Sequence, residues 1–411
     1  MATTTMTTRC CIAGGGPAGI MLGYLMARAG VDVVILEKHE DFFRDFRGDT
    51  VHPSTLDVMY ELGILDEFLR VPHQEVRDLG AQIGKDWIKF VDLRHVPTHC
   101  KFLAFMPQWD FLNFLSAQGR KFPAFHLEMR TEAVDLIRDG ERITGVRATT
   151  PSGELGVYAD LVVAADGRHS TLRDRSGLPL RTFGAPMDVL WFRLPREEAD
   201  PGQAFGRVDA GVLMVMIDRG DYYQCGYIIP KGSYDAVKAR GIEAFRAEVA
   251  ALAPFLRSRV DTVRDWNDVS LLEVAVNRLD RWHLPGFLCI GDAAHAMSPV
   301  GGVGINLAIQ DAVATANICA EPLRDRQFDE SNLEAVQRRR MPPTRFTQAL
   351  QVQVQDRVLI PVLRDRRQLS APLVMRLFDR VELLRRIPAY VVGVGFRPEH
   401  VRSPASPVAG G

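Results

Sequence analysis

The sequence predicts an α/β protein with α+β elements: a parallel-sheet domain, an antiparallel sheet inserted into it, and C-terminal helices. Three observations carry this expectation. A glycine-rich turn links a short apolar strand to a helix near the start of the chain. Alternating strands with a hairpin occupy 186–230, and arginine-rich helical periodicity sets in beyond about 340.

The first stretch, "CCIAGGGPAGIMLGYLMARAGVDVVILEK", reads as a strand, a helix from about Pro17 to Ala29, and a second strand from Val31 to Glu37. Within this βαβ unit Gly14, Gly16 and Gly19 match G-x-G-x-x-G. The first glycine permits the tight turn, the second lets a pyrophosphate approach the backbone, and the third lets helix and strand pack closely. The helix that starts at Pro17, itself without an N–H, then offers the free N–H groups of its first turn from Ala18 onward to phosphates. Glu37, followed by Lys38, stands where an acid accepts hydrogen bonds from a ribose. The unit is a Rossmann-type dinucleotide site.

Two later stretches narrow the ligand. "YADLVVAADGRHSTLR" is an apolar strand, Leu161 to Ala165, ending in Asp166-Gly167; "GFLCIGDAAHAMSPVGGVGINLAIQDAVATAN" is a strand, Phe287 to Ile290, ending in Gly291-Asp292, with a glycine loop and a helix from about Ile305. With all three motifs in order, residues 9 to about 320 resemble the FAD-dependent aromatic hydroxylases, single-component flavoprotein monooxygenases of the p-hydroxybenzoate hydroxylase fold.

The resemblance implies a Rossmann-type FAD-binding domain and a set of roles. Glu37 holds the adenosine ribose, Asp166 and Gly167 lie near the pyrophosphate, and Gly291-Asp292 meets the ribityl chain or its phosphate link. An arginine after the second strand, here Arg47, and a glutamine opening a helix, here Gln108, reach the cofactor as well. Arg47 and Pro299, the latter over the substrate side of the ring, are the expected catalytic contributors. The implied reaction uses NADPH or NADH as a transient reductant and O2. It hydroxylates an aromatic or polyketide-like small molecule through a C4a-hydroperoxyflavin.

The glycine loop has a physical reading of its own. Reduced flavin carries negative charge on its pyrimidine edge, and Gly301, Gly302 and Gly304 remove Cβ atoms so that main-chain N–H groups can approach it. The helix opening at Ile305 and Asn306 directs its positive end the same way. His295, three residues beyond Asp292, is read as structural rather than as a base.

Because the motifs lie far apart, the FAD domain is expected to be discontinuous, over 1–75, 100–180 and 272–340. The substrate domain then comprises 76–99 and 181–271, and 341–411 forms a helical region ending in a flexible tail, "SPASPVAGG". Sheet positions Trp191, Met214, Met216, Tyr223, Cys225 and Tyr227 form the pool of substrate contacts, each with plain core packing as its alternative. His52 faces either the pocket or the surface. Leu373, Leu377, Val381 and Leu384 make one apolar stripe opposite arginines, which reads as packing on the substrate domain or in a homodimer.

Bulk properties bound the rest. A formal charge of -1 over 411 residues offers no net field for nucleic acid or an anionic membrane. Six cysteines without CxxC spacing, no signal-peptide layout and no long apolar run point to a soluble cytoplasmic protein without a metal site. Two other readings stay open: a reductase of isoprenoid double bonds on the same fold, through "QCGYIIPKG", and a redox-sensing flavoprotein with a protein partner. The W-x-W-x-I-P pair of flavin halogenases is absent.

Overall fold

Strand Thr4–Ala13 lies at the centre of the larger sheet because its second half, Cys10 to Ala13, is apolar on both faces and wholly buried. Parallel neighbours flank it, Val33–Leu36 on one side and Gly153–Ala164 on the other, with Phe125–Glu128 and Phe287–Cys289 beyond. The computed structural model describes residues 4–43, 50–201, 205–209, 211–364, 371 and 373–406. Strand Gly153–Ala164 starts well before the expected Leu161, because its first half pairs with the antiparallel strand Arg142–Thr150. The first helix, Pro17–Arg28, packs against the long helix Gly304–Arg324. With the turn from Val300 that leads into it, that long helix is apolar enough to cross a membrane by length and composition alone, against the expectation of no long apolar run. Its most apolar stretch is 72% buried inside the fold, as a core helix is.

Among the described residues the second sheet has seven strands. Met187–Pro195, Val212–Asp218 and Tyr222–Pro230 form its antiparallel body, and the pair Asp78–Ile83 and Asp86–Asp92 joins it through Phe205–Asp209. Helix Ile242–Leu252 covers one face.

The C-terminal region departs from the sequence reading in two ways. The single stripe breaks at Val381, which is extended between helices Leu373–Arg380 and Glu382–Gly393, and Leu377 and Val381 stay exposed. The supposed frayed tail is docked as far as Ser406: the Ser406 N–H donates to Arg28 O at 2.7 Å, and Arg28 Nη1 donates to Ser403 O at 3.2 Å. Unsatisfied carbonyl and guanidinium groups at the end of the first helix capture the chain. Residues 407–411 lie outside the described residues. All six cysteines are buried free thiols.

Candidate active site

Each fingerprint glycine meets a different constraint. Gly14 has φ +106°, and a Cβ there would stand 2.3 Å from Ala165 O, so this turn presses on the backbone of the Asp166-Gly167 motif. At Gly19 a Cβ would fall 1.9 Å from Gly14 O, which fixes the close helix–turn contact. Gly16 differs: a Cβ there would meet nothing within 4 Å. The protein leaves open space in front of a helix whose first intrahelical N–H donor is Ile20, bonded to Gly16 O. The Ala18 and Gly19 N–H groups therefore border a cradle that only a ligand would fill. Glu37 closes one side. Its Oε2 accepts the Gly15 N–H at 2.8 Å and its Oε1 accepts the His39 N–H at 3.0 Å. Lys38 is exposed beside it.

The other two motifs meet across the sheet's C-terminal edge. Burial raises the pKa of Asp166, whose carboxylate accepts from Ser170 Oγ and from the Leu172 N–H at 3.2 Å. Its side chain is thus committed to starting helix Thr171–Ser176, and the open backbone at Gly167, φ +88°, is the accessible part of this motif. Arg168 Nη2 approaches Asp292 Oδ2 at 3.6 Å, linking the second motif to the third. Gln108 stands half-buried at the first position of helix Gln108–Gly119. Arg47 falls in 44–49, outside the described residues.

Gly301 and Gly302 adopt φ +81° and +63° in a tight turn that Pro299 opens and that leads into the helix starting at Gly304. Asn306, expected among the cofactor contacts, does something else with its side chain. Its Oδ1 accepts the His52 N–H at 2.8 Å and Thr55 Oγ1 at 2.7 Å, and its Nδ2 donates to Thr50 O at 3.1 Å. A buried amide spends its donors and acceptors where backbone groups need them. Of Asn306, only the main chain remains for a ligand.

Three glutamines unanticipated from the sequence brace the same loop from helix Glu330–Val354 and its continuation. Gln348 Nε2 donates to Asn277 O and Ala296 O. Gln351 Nε2 donates to Ser298 O and Val300 O at 2.9 Å each, and Gln355 Nε2 donates to Ser298 Oγ at 2.6 Å. The signal was present: "QALQVQVQ" puts amides at i, i+3 and i+7, one helical face.

His295 is held as a structural group. Its Nε2 lies 2.6 Å from Asp311 Oδ2, Arg340 Nε donates to Asp311 Oδ1 at 2.9 Å, and Arg340 Nη1 reaches Glu399 at 3.2 Å. Burial pushes the Asp311 carboxyl up, but His295 and Arg340 outweigh it and hold the pKa below its ordinary value. The Gly291 N–H also donates to Asp311, so this network sits directly under the third motif.

His52 is buried rather than exposed. Its Nδ1 lies 2.6 Å from Val392 O, and its Nε2 borders Gly302 without a partner at hydrogen-bonding geometry. Burial pushes its pKa down to about 4, against a weaker upward pull from the Val392 and Gly302 backbones. At neutral pH the imidazole is uncharged, with Nδ1–H donating and Nε2 left as an acceptor beside the glycine loop.

The pool of substrate contacts divides by parity. Met214, Met216, Tyr223, Cys225 and Tyr227 all point under helix Ile242–Leu252, packed with Phe245 and Val249. Tyr227 Oη donates to Glu248 at 2.6 Å on that side. These five are core, a correction to the expectation that they line the flavin side. Side chains alternate along a strand, so the face over the glycine loop carries their neighbours. Trp191 alone of the six is there, packed with clusters that include Val300 and Val392, and its buried Nε1 has no partner. Gly226 makes room for it: a Cβ would stand 3.0 Å from the indole. Among the described residues no cluster of His, Cys, Asp and Glu is placed to hold a metal.

The open space at Gly16, the aligned N–H groups and the side-chain-free loop fit a dinucleotide carrying a ring that needs backbone donors. The family described as "FAD binding domain" matches residues 7–349, and the chain belongs to it. It is an FAD-dependent monooxygenase of the aromatic hydroxylase type. Over 385 residues it is 34% identical to a 6-methylpretetramide 4-monooxygenase of Streptomyces rimosus, with 92% of each chain covered. A rifampicin monooxygenase of Streptomyces venezuelae is 27% identical over 73% of this chain and 61% of its own length. Among solved structures, Pseudomonas aeruginosa PqsL in complex with 2-aminobenzoylacetate superposes with a TM-score of 0.74 at 22% identity, covering 86% of this chain and 97% of that one. The OxyS anhydrotetracycline hydroxylase of Streptomyces rimosus gives 0.74 at 21% identity, covering 95% and 76%. At these identities the two structures show the fold alone.

Proposed function

We propose that this protein is a cytoplasmic, NAD(P)H- and O2-dependent monooxygenase that hydroxylates a polycyclic, polyketide-like aromatic molecule. The observation that carries the reading is the glycine loop: Gly301 and Gly302 turn at positive φ, Gln351 and Gln355 brace Ser298 and Val300 beside them, and Val300 packs with the cluster of the second sheet that includes Trp191. FAD, when bound, supplies the chemistry of accepting a hydride from NAD(P)H and passing one oxygen atom from O2 to the substrate. The chain's own part is to hold, orient and keep dry. Gly14, Gly16, Pro17, Ala18, Gly19 and Glu37 would hold the adenosine and pyrophosphate half, with Gln108, Asp166, Gly167, Gly291 and Asp292 along the middle. The main chain of Gly301, Gly302, Gly304, Ile305 and Asn306 would meet the ring with N–H donors, stabilising negative charge without a side chain in the way.

Pro299 and Trp191 would border the substrate, and Trp191 Nε1–H and His52 Nε2 would provide a donor and an acceptor there. The names of the relatives, acting on 6-methylpretetramide and rifampicin, support a large fused aromatic substrate. The isoprenoid-reductase alternative rests on "QCGYIIPKG" alone, and Tyr227 of that stretch packs under helix Ile242–Leu252 with its hydroxyl on Glu248.

The test is to incubate purified holoenzyme with NADPH or NADH, O2 and a panel of polycyclic phenols. The reading requires nicotinamide oxidation coupled to a product heavier by one oxygen atom. A product heavier by two hydrogens, or no turnover with any member of the panel, would overturn it.

A further inference from the structure

A groove of about 700 Å³ opens on the far side of the third motif, between the turn bearing Arg281 and His283 and the first half of helix Glu330–Val354. Arg281, Arg338 and Arg345 line it, all exposed, and none of the three makes an ion pair or hydrogen bond with the described residues. Glu334 is the one carboxylate among the lining residues, so three arginines less one glutamate leave a charge of +2 in a chain of net charge -1. His283 lines the groove at 6% exposure, and its Nδ1 has no hydrogen-bond partner. Burial and the nearby Arg281 lower its pKa, so it is neutral.

Behind the wall lies a fourth arginine. Arg278 is buried, its Nη1 donates to Gln348 at 2.6 Å, and its Nε has no partner. Gln348 in turn donates to Ala296 O at 3.2 Å, inside the loop that follows Asp292. Trp282, between Arg281 and His283, packs its ring 5.0 Å from that of His295. The groove therefore backs directly onto the third motif.

Unpaired arginines crowding one concavity repel each other unless an anion joins them, and planar guanidinium forks match phosphate oxygens in pairs. A groove of this volume suits part of a nucleotide rather than a flat macromolecular surface. We propose that this groove takes the phosphate-bearing end of the nicotinamide reductant, and that it favours the dianionic 2′-phosphate of NADPH over NADH. The inference rests on the reading of the protein as an NAD(P)H-dependent monooxygenase.

Calorimetric titration of the holoenzyme with 2′,5′-ADP, 5′-AMP and inorganic phosphate tests it. Wild-type protein should bind 2′,5′-ADP at least about tenfold more tightly than 5′-AMP or free phosphate, and Arg338→Ala and Arg345→Ala should each weaken that binding about tenfold. Both are surface changes, and unaltered FAD content and Tm establish that the variants are folded. In turnover the same variants should raise KM for NADPH, leave KM for NADH within twofold, and keep kcat at saturating NADPH. Equal binding of the three probes, or variants that bind 2′,5′-ADP like the wild type, would overturn the site. If the arginine-dependent binding appears but no substrate elicits NADPH oxidation, the site stands and the monooxygenase reading fails. NADPH turnover indifferent to the arginines gives the reverse.

Discussion

Around the parallel sheet, functional positions are set by backbone: Gly14 is needed for its φ and its contact with Ala165, and Gly16 for the space in front of it. Around the antiparallel sheet they are set by side-chain parity, so that Trp191 and Met214, both apolar and both on strands over the site, have opposite duties. A backbone cradle tolerates almost no substitution but announces itself in glycines. A sheet face tolerates many substitutions and announces nothing until one knows which way it points.

Substitutions that separate the two regimes range from large effects to small. Gly14→Ala should cost at least about 4 kcal/mol and give little folded protein, because strained φ and a 2.3 Å overlap with backbone coincide; soluble yield and Tm measure it. Arg340→Met should cost about 3–5 kcal/mol in urea unfolding by leaving Asp311 buried without its guanidinium. The Asp311 pKa is depressed in the fold, so its stabilisation is present above the ordinary carboxylate value of 3.8 and is lost as pH falls through the lower native value. A variant as stable as the wild type would show that the C-terminal region does not support the third motif.

On the second sheet, Met214→Ala should lose about 2–5 kcal/mol by opening a core cavity while leaving substrate KM alone. Trp191→Phe should leave Tm nearly unchanged and raise substrate KM severalfold by removing the indole N–H. The opposite pattern would put the substrate on the helix-covered face. His52 gives the most gradual effect, spread over a pH range. Its native pKa of about 4 lies below the ordinary 6.5, so the unfolded chain takes up a proton first as pH falls. Stability should decline by roughly 1 kcal/mol per pH unit from about 6.5 down to 4. His52→Gln should flatten that slope, as chemical denaturation across this range would show.

What the sequence disclosed follows the same division. Motif order gave the parallel domain and its glycines because the turn itself demands them, through the positive φ of Gly14 and the close approach of Gly19 to Gly14, while the contact of Gly14 with Ala165 needed the fold. The five misplaced sheet residues were legible as strand residues, but alternation fixes only two sets of side chains, and which set faces the loop depends on helix Ile242–Leu252 claiming the other face. Asn306 looked like a ligand contact because it follows the loop; besides Gly302, its partners Thr50, His52 and Thr55 are remote in sequence. Asp311 and Arg340 were visible as polar residues in helical stretches, yet nothing local ties them to His295 and Glu399.

The central claim is that the fingerprint is a cradle shaped for a ligand and not for the protein's own packing. Gly16→Val measures it most directly, since Gly16 has extended backbone, φ −77° and ψ −175°, and its Cβ would meet no protein atom within 4 Å. Apo-protein Tm should stay within about 2 °C of wild type, while FAD affinity, read by fluorescence quenching, should fall at least about a hundredfold. A variant that binds FAD normally, or one that loses its fold before its cofactor, would contradict the account.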